Sequence, residues 1–248
     1  MPVTILLAQM RTGELLERLT AHTPPAHGTI VFLLIGAIIA AMLVVPRAMW
    51  RLTGLIVTIV HELGHGFAGL MLGRRSLAIR IAPDQSGLAL SRGTGTSAPW
   101  MTFWGYPAPA LIGSLLIFAA LFGYPAPALA AAAVLLVVSL VFMRGFLAVA
   151  VTALTAALAG FLVFWAPPVI ASYAALGAGL FLLLGAWKAF GNLLAAHARG
   201  DRGQSDAAIL ARATRVPAGV WIVLMFLTMA GFTALSAWGV WHYLQVLT

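Results

Sequence analysis

The chain has 248 residues, 62% hydrophobic and only 8% charged, and its mean hydropathy of +1.02 lies far from the balance of a soluble globular domain. It reads as an all-α polytopic membrane protein in which any chemistry must sit in the helix bundle itself. The net charge of +8 would suggest nucleic acid in a soluble chain, but the arginines gather at the ends of apolar runs and read as topology signals, so no nucleic-acid partner is expected. The absence of cysteine excludes disulfides and thiolate ligands, leaving His, Asp and Glu for any metal.

Residues 1–27 place Ile5, Leu6, Leu7, Met10, Leu15, Leu16 and Leu19 among Arg11, Glu14, Glu17 and Arg18. That pattern predicts an amphipathic N-terminal segment on the membrane surface, and its charges are not ordered as in a signal peptide. Residues 28–248 are read as one transmembrane domain of about seven helices. The first predicted span runs from Thr29 to Val45 and stops at Pro46; the second runs from Leu52 to Leu72. Leu77 to Ala82 and Gly87 to Leu90 then alternate in the strand sense around Pro83-Asp84-Gln85-Ser86, which predicts a short membrane-associated β-hairpin. Gly93 to Ser97 reads as a loop. Further spans are expected from Tyr106 to Phe122, Pro125 to Phe142, Phe146 to Trp165, Val169 to Trp187 and Pro217 to Trp241, with a polar segment from Lys188 to Val216 before the last. A repeat, Gly105-Tyr106-Pro107-Ala108-Pro109-Ala110-Leu111 and Gly123-Tyr124-Pro125-Ala126-Pro127-Ala128-Leu129, marks two span beginnings.

With alternating spans, twelve of the fourteen Lys and Arg residues fall on one side, and Arg47 and Arg51 on the other. The positive-inside rule makes the first side cytoplasmic, together with the N-terminus, and predicts a multi-pass protein of the cell's inner (plasma) membrane. Its partners are then the lipid bilayer and whatever the site acts on; oligomeric state is not encoded in this pattern.

The second span carries His61-Glu62-Leu63-Gly64-His65, an HExxH motif. Two histidines and a glutamate inside an apolar span are costly unless something compensates them. Residues four apart share a helix face, so both imidazoles can point at one ion, with Glu62 about 100° round the axis and within reach of a water on it. The site would lie roughly 12 Å from the cytoplasmic end of the span at Gly73. The bland alternatives are a proton or ion pathway and a satisfied polar cluster between helices.

A catalytic zinc takes three protein ligands and keeps a position for water. Asp84, His197, Asp201 and Asp206 are the candidates left for the third place. Asp84 sits in a turn sequence, and Asp206 also reads as the first acid of a helix beginning Ala207-Ala208-Ile209-Leu210. Spacing alone does not separate Asp206 from Asp201.

The HExxH span, the hairpin with Ser86-Gly87-Leu88, Trp104-Gly105-Tyr106-Pro107-Ala108-Pro109-Ala110-Leu111 at a span start, and Ser205-Asp206-Ala207 before a Pro-Ala-Gly-Val-Trp span resemble the site-2 protease class of intramembrane zinc metallopeptidases, in its small bacterial branch without a PDZ domain. The resemblance implies that His61 and His65 bind Zn2+, that Glu62 is the general base, and that a later aspartate completes the site. The Ser-Asp-Ala context selects Asp206, with Asp201 second and His197 third. Asn192 is expected to hold a substrate backbone group. Better-known members carry an Asn-x-x-Pro-x-x-x-x-Asp-Gly element; here Asn192-Leu193-Leu194 starts similarly, but no proline follows and Asp-Gly is absent. The implied activity is zinc-dependent endopeptidase cleavage of transmembrane or membrane-anchored proteins, such as a single-span anti-sigma factor. Two rivals are a catalytically silent scaffold of the same fold and an ion or proton transporter using the same polar cluster.

Overall fold

A computed structural model describes residue 13 and residues 16–20, 22–23, 29–92, 97–200 and 205–246. From Thr29 onward nine α-helices and one hairpin follow in order among these residues: α1 (Thr29–Val44), α2 (Arg47–Met71), β1 (Arg75–Ile81), β2 (Gly87–Arg92), α3 (Ser97–Phe103), α4 (Pro107–Leu121), α5 (Pro125–Ser139), α6 (Phe146–Phe164), α7 (Pro168–Ala198), α8 (Asp206–Thr214) and α9 (Ala218–Val246). The seven apolar helices match the predicted spans in order. Five are long and apolar enough to cross a membrane, and α1 and α4 are shorter apolar helices.

The helices start and stop where their sequences dictate. Pro107, Pro125 and Pro168 sit in first turns, where their missing N–H is not needed. Gly73, Gly123 and Gly145 take positive φ between elements. Helix α2 begins at Arg47, before the expected Leu52, and α9 runs past Trp241 to Val246; two further segments differ more from the sequence reading. The polar segment expected from Lys188 is largely helix, because α7 continues to Ala198 through residues that favour helix, and Gly191 and Asn192 alone do not end it. The stretch after the loop forms α3, whose Pro99 in the first turn was the available signal.

Packing sets the helix directions. Phe32 meets Tyr173 edge-on at 4.3 Å and Gly36 lies against Leu176 and Leu180, while the Lys188 ammonium reaches the carbonyls of Val44 and Val45. Hence α1 and α7 run in the same direction. Lys188 therefore sits at the α1–α2 turn, and because the Gln85 amide reaches Trp50 C=O the hairpin with Arg75, Arg80 and Arg92 is at that same end, so Arg47 and Arg51 are not set apart from the other basic residues as alternation assumed. Helix α4 runs the other way: Tyr106 packs on Phe190, and Gly113 and Gly179 touch backbone to backbone with no room for a Cβ at either. Trp50 and Val57, seven residues apart, both contact Gly185, so α2 lies steeply across the second half of α7. A core of Phe32, Ile117, Leu176, Phe190, Leu210, Met225 and Met229 ties α1, α4, α7, α8 and α9 together.

The hairpin is antiparallel, pairing Ile79 with Ala89 and Ile81 with Gly87. Its turn is closed by Asp84, whose carboxylate accepts from Ser86 N–H at 2.9 Å and Ser86 Oγ–H at 2.6 Å and is thereby held below the usual carboxylate range. Leu77 and Ile79 are buried against Ile59, Leu63, Met143 and Ala148, while Arg80, Leu88 and Leu90 stay exposed on the other face. The outer edge of β1 is partly taken, since Arg144 N–H donates to Ile79 C=O at 2.8 Å. Residues 16–20 are helical, and the Arg18 guanidinium donates to Ala166 C=O at 3.0 Å beyond the end of α6.

Candidate metal centre

Helix α2 places its motif residues on two faces. His61 and His65 point toward α3, α4 and α8, and Glu62 points toward the hairpin. Both Glu62 and His65 are buried. The third group arrives from α8, whose N-cap Ser205 accepts from Ala208 N–H at 3.3 Å, a geometry that orders the first turn and with it Asp206. Apolar Ala207, Ala208 and Leu210 bury the inner face of α8, and Trp221 of α9 donates to Thr214 Oγ at 3.1 Å. These contacts fix where Asp206 emerges.

His61 Nε2, His65 Nε2 and Asp206 Oδ2 form a small triangle. The two nitrogens are 3.1 Å apart, His61 Nε2 lies 3.1 Å from Asp206 Oδ2, and His65 Nε2 lies 3.3 Å from it. Ligand atoms on a tetrahedral zinc, each about 2.0–2.1 Å from the metal, stand about 3.3 Å apart. The donor set also fits in its chemistry. Met101 C=O can only accept, and it lies 2.9 Å from His65 Nδ1, so the imidazole proton sits there and the Nε2 lone pair faces the triangle. Asp206 Oδ2 is buried without a hydrogen-bond partner despite its nearness to the two nitrogens. These residues are the one His/Asp/Glu group of metal-binding geometry among the described residues.

The roof of the triangle is the first copy of the repeat. A Cβ on Gly105 would strike both imidazoles, so the backbone passes directly over them. Tyr106 follows, its ring edge-on to His61 at 4.6 Å. The second copy does the same elsewhere: a Cβ on Gly123 would meet the His22 ring, and Tyr124 stands edge-on to His22 at 5.3 Å. The sequence reading took both copies as span punctuation; each is also a cradle for an imidazole.

His61, His65 and Asp206 are thus brought together, with Glu62 adjacent. Asp201 lies outside the described residues. His197 is placed against the cap of α8, its Nδ1 3.2 Å from Leu193 C=O and its Nε2 3.4 Å from Ser205 Oγ. Asn192 is exposed on α7, two residues and so about 200° round the helix from Phe190, which faces Tyr106. Its side chain is not brought to the cluster. Met101, Gly105 and Tyr106 were not singled out as site residues from the sequence.

An HExxH helix laid across a membrane bundle, with a buried His/His/Asp triangle, defines a multi-pass membrane protein of metallopeptidase type. The model for Peptidase M50B-like proteins matches residues 34–236, and the chain belongs to this family, the site-2 protease family of membrane metallopeptidases. No curated protein and no solved structure matches it.

Proposed function

We propose that this protein is a zinc-dependent intramembrane endopeptidase that cleaves transmembrane or membrane-anchored proteins. His61, His65 and Asp206 would hold a zinc ion, which would supply Lewis acidity toward water and a carbonyl oxygen. The general base is Glu62. Glu62 removes the proton from the attacking water and delivers it to the departing amine. His65 is kept in the binding tautomer by Met101 C=O, and burial of the cluster by Gly105 and Tyr106 excludes bulk water around the charges. A substrate helix must unwind to expose its carbonyls, and β2 is the hairpin strand that offers it an edge, because β1 is already paired to the segment at Arg144. In this reading the site opens toward the cytoplasm of a bacterial inner membrane, where the basic residues gather, and the segment carrying Arg18 rests on the opposite membrane surface, since Arg18 meets Ala166 C=O just before α7 while the site lies beside Phe190, toward the other end of that helix. Asn192 would meet substrate on the outer side of α7 and not at the metal.

The observation that carries the proposal is the triangle of His61, His65 and Asp206 donor atoms beside a buried glutamate. Purified protein reconstituted with a single-span substrate should hold zinc and cleave, and Glu62→Gln should keep the zinc and lose the cleavage. Zinc-loaded protein whose cleavage survives Glu62→Gln would exclude the mechanism.

A further inference from the structure

Every fourth residue of α2 from position 54 faces the hairpin. A Cβ on Gly54 would meet the Gln85 side-chain amide, Thr58 Oγ donates to Gln85 C=O at 3.3 Å, Glu62 lies against Gly87, and Gly66 receives Leu77. A second stripe, one residue earlier at each turn, faces away from it: Val57 meets Gly185, His61 meets Tyr106, and His65 meets Met101 and Gly105. Residues 100° apart on one helix are therefore served by different parts of the protein. The metal ligands belong to α3, α4 and α8; Glu62 belongs to the hairpin.

The contact at Glu62 is close and specific. A Cβ on Gly87 would land on Oε1, Cδ and Cγ of Glu62, and the backbone of Ala89 runs beside the same carboxylate. The hairpin is itself pinned to α2, because the Gln85 amide donates to Trp50 C=O and sits in the space above Gly54. Gln85 takes a positive φ of 68° to reach it. The strand thus arrives at Glu62 from a fixed anchor two helical turns away.

We propose that the β1–β2 hairpin is the positioning element for the Glu62 carboxylate, acting independently of the metal ligands, with Gly87 and Ala89 as the contact and Gln85 as the anchor. This rests on the reading of Glu62 as the general base. A general base displaced by about 1 Å loses on the order of 10²-fold in rate while substrate and metal still bind. The device therefore separates zinc loading from turnover.

Full-length protein in lipid nanodiscs tests this with Gly87→Ala, Glu62→Ala and the pair. Gly87→Ala should retain zinc, lower kcat about 10²-fold and leave KM within about threefold. It should lower Tm in the wild-type background and be near neutral in Glu62→Ala, where the clash is gone. Gln85→Ala, which touches neither Glu62 nor the metal ligands, should lower kcat in the same direction with zinc retained. Equal Tm losses in both backgrounds, loss of zinc in Gly87→Ala, or undiminished kcat would each overturn the proposal. If the wild type cleaves nothing yet the coupling between positions 62 and 87 persists, the proteolytic reading fails and the clamp stands.

Discussion

His65 and Met101, 36 residues apart, are joined by a 2.9 Å contact between an imidazole Nδ1 and a backbone carbonyl. The carbonyl is contributed by α3, a helix of seven residues whose role in the site is to hold that one group in place. Because the carbonyl cannot donate, it settles which nitrogen of His65 is free for metal. Replacing His65 with glutamine keeps polarity but removes this two-sided geometry. We expect His65→Gln to lose zinc as fully as His65→Ala, measured by metal content of the purified protein.

Gly105→Ala should act through the ligands without changing one. The added methyl has no space beside the two imidazoles, so either the rings or the α3–α4 connection must move. The expected outcome is a fall in zinc affinity of about 10–100-fold, the range seen when groups supporting metal ligands are altered. Competition with a fluorescent chelator measures it, and unchanged affinity would contradict the cradle.

Ser205→Ala removes the side-chain cap of α8 and should cost about 1 kcal/mol of stability. Since Asp206 is the next residue, zinc affinity should weaken as well. Thermal unfolding with and without a chelator separates the two effects: the cap loss persists in the metal-free protein, and the ligand effect appears only in the loaded one.

Much of this was legible in the chain. Helical spacing placed His61 and His65 on one face, and the alternation around Asp84 gave the hairpin and its turn. Proline and glycine marked most helix ends. What was not legible depended on tertiary contact. Alternation sets Arg47 and Arg51 apart from Lys188, but α1 and α7 run together and the Lys188 ammonium lies on Val44 and Val45. Asp201 and Asp206 have similar local signals, and the cap at Ser205 with the burial of Leu210 is what brings Asp206 to the histidines. Gly105 and Gly87 carry no chemistry of their own, so only close approach reveals them.

Gly113→Leu should be among the most destabilising changes distant from the site. Its Cβ alone would approach Gly179 C=O to 2.7 Å, and α4 and α7 meet there with no side chain able to yield. Overpacking of this kind costs about 1–3 kcal/mol or more, so a lowered Tm with zinc still bound is expected. An unchanged Tm would mean that the two helices do not pack as described.

The most direct measurement is the zinc content of the purified full-length protein, compared among wild type, Asp206→Ala and Asp201→Ala. About one zinc per chain in the wild type and in Asp201→Ala, with loss in Asp206→Ala, is the predicted result. Wild-type protein that takes up no zinc, or Asp206→Ala protein that binds it as tightly as wild type, would contradict the metal centre on which the account stands.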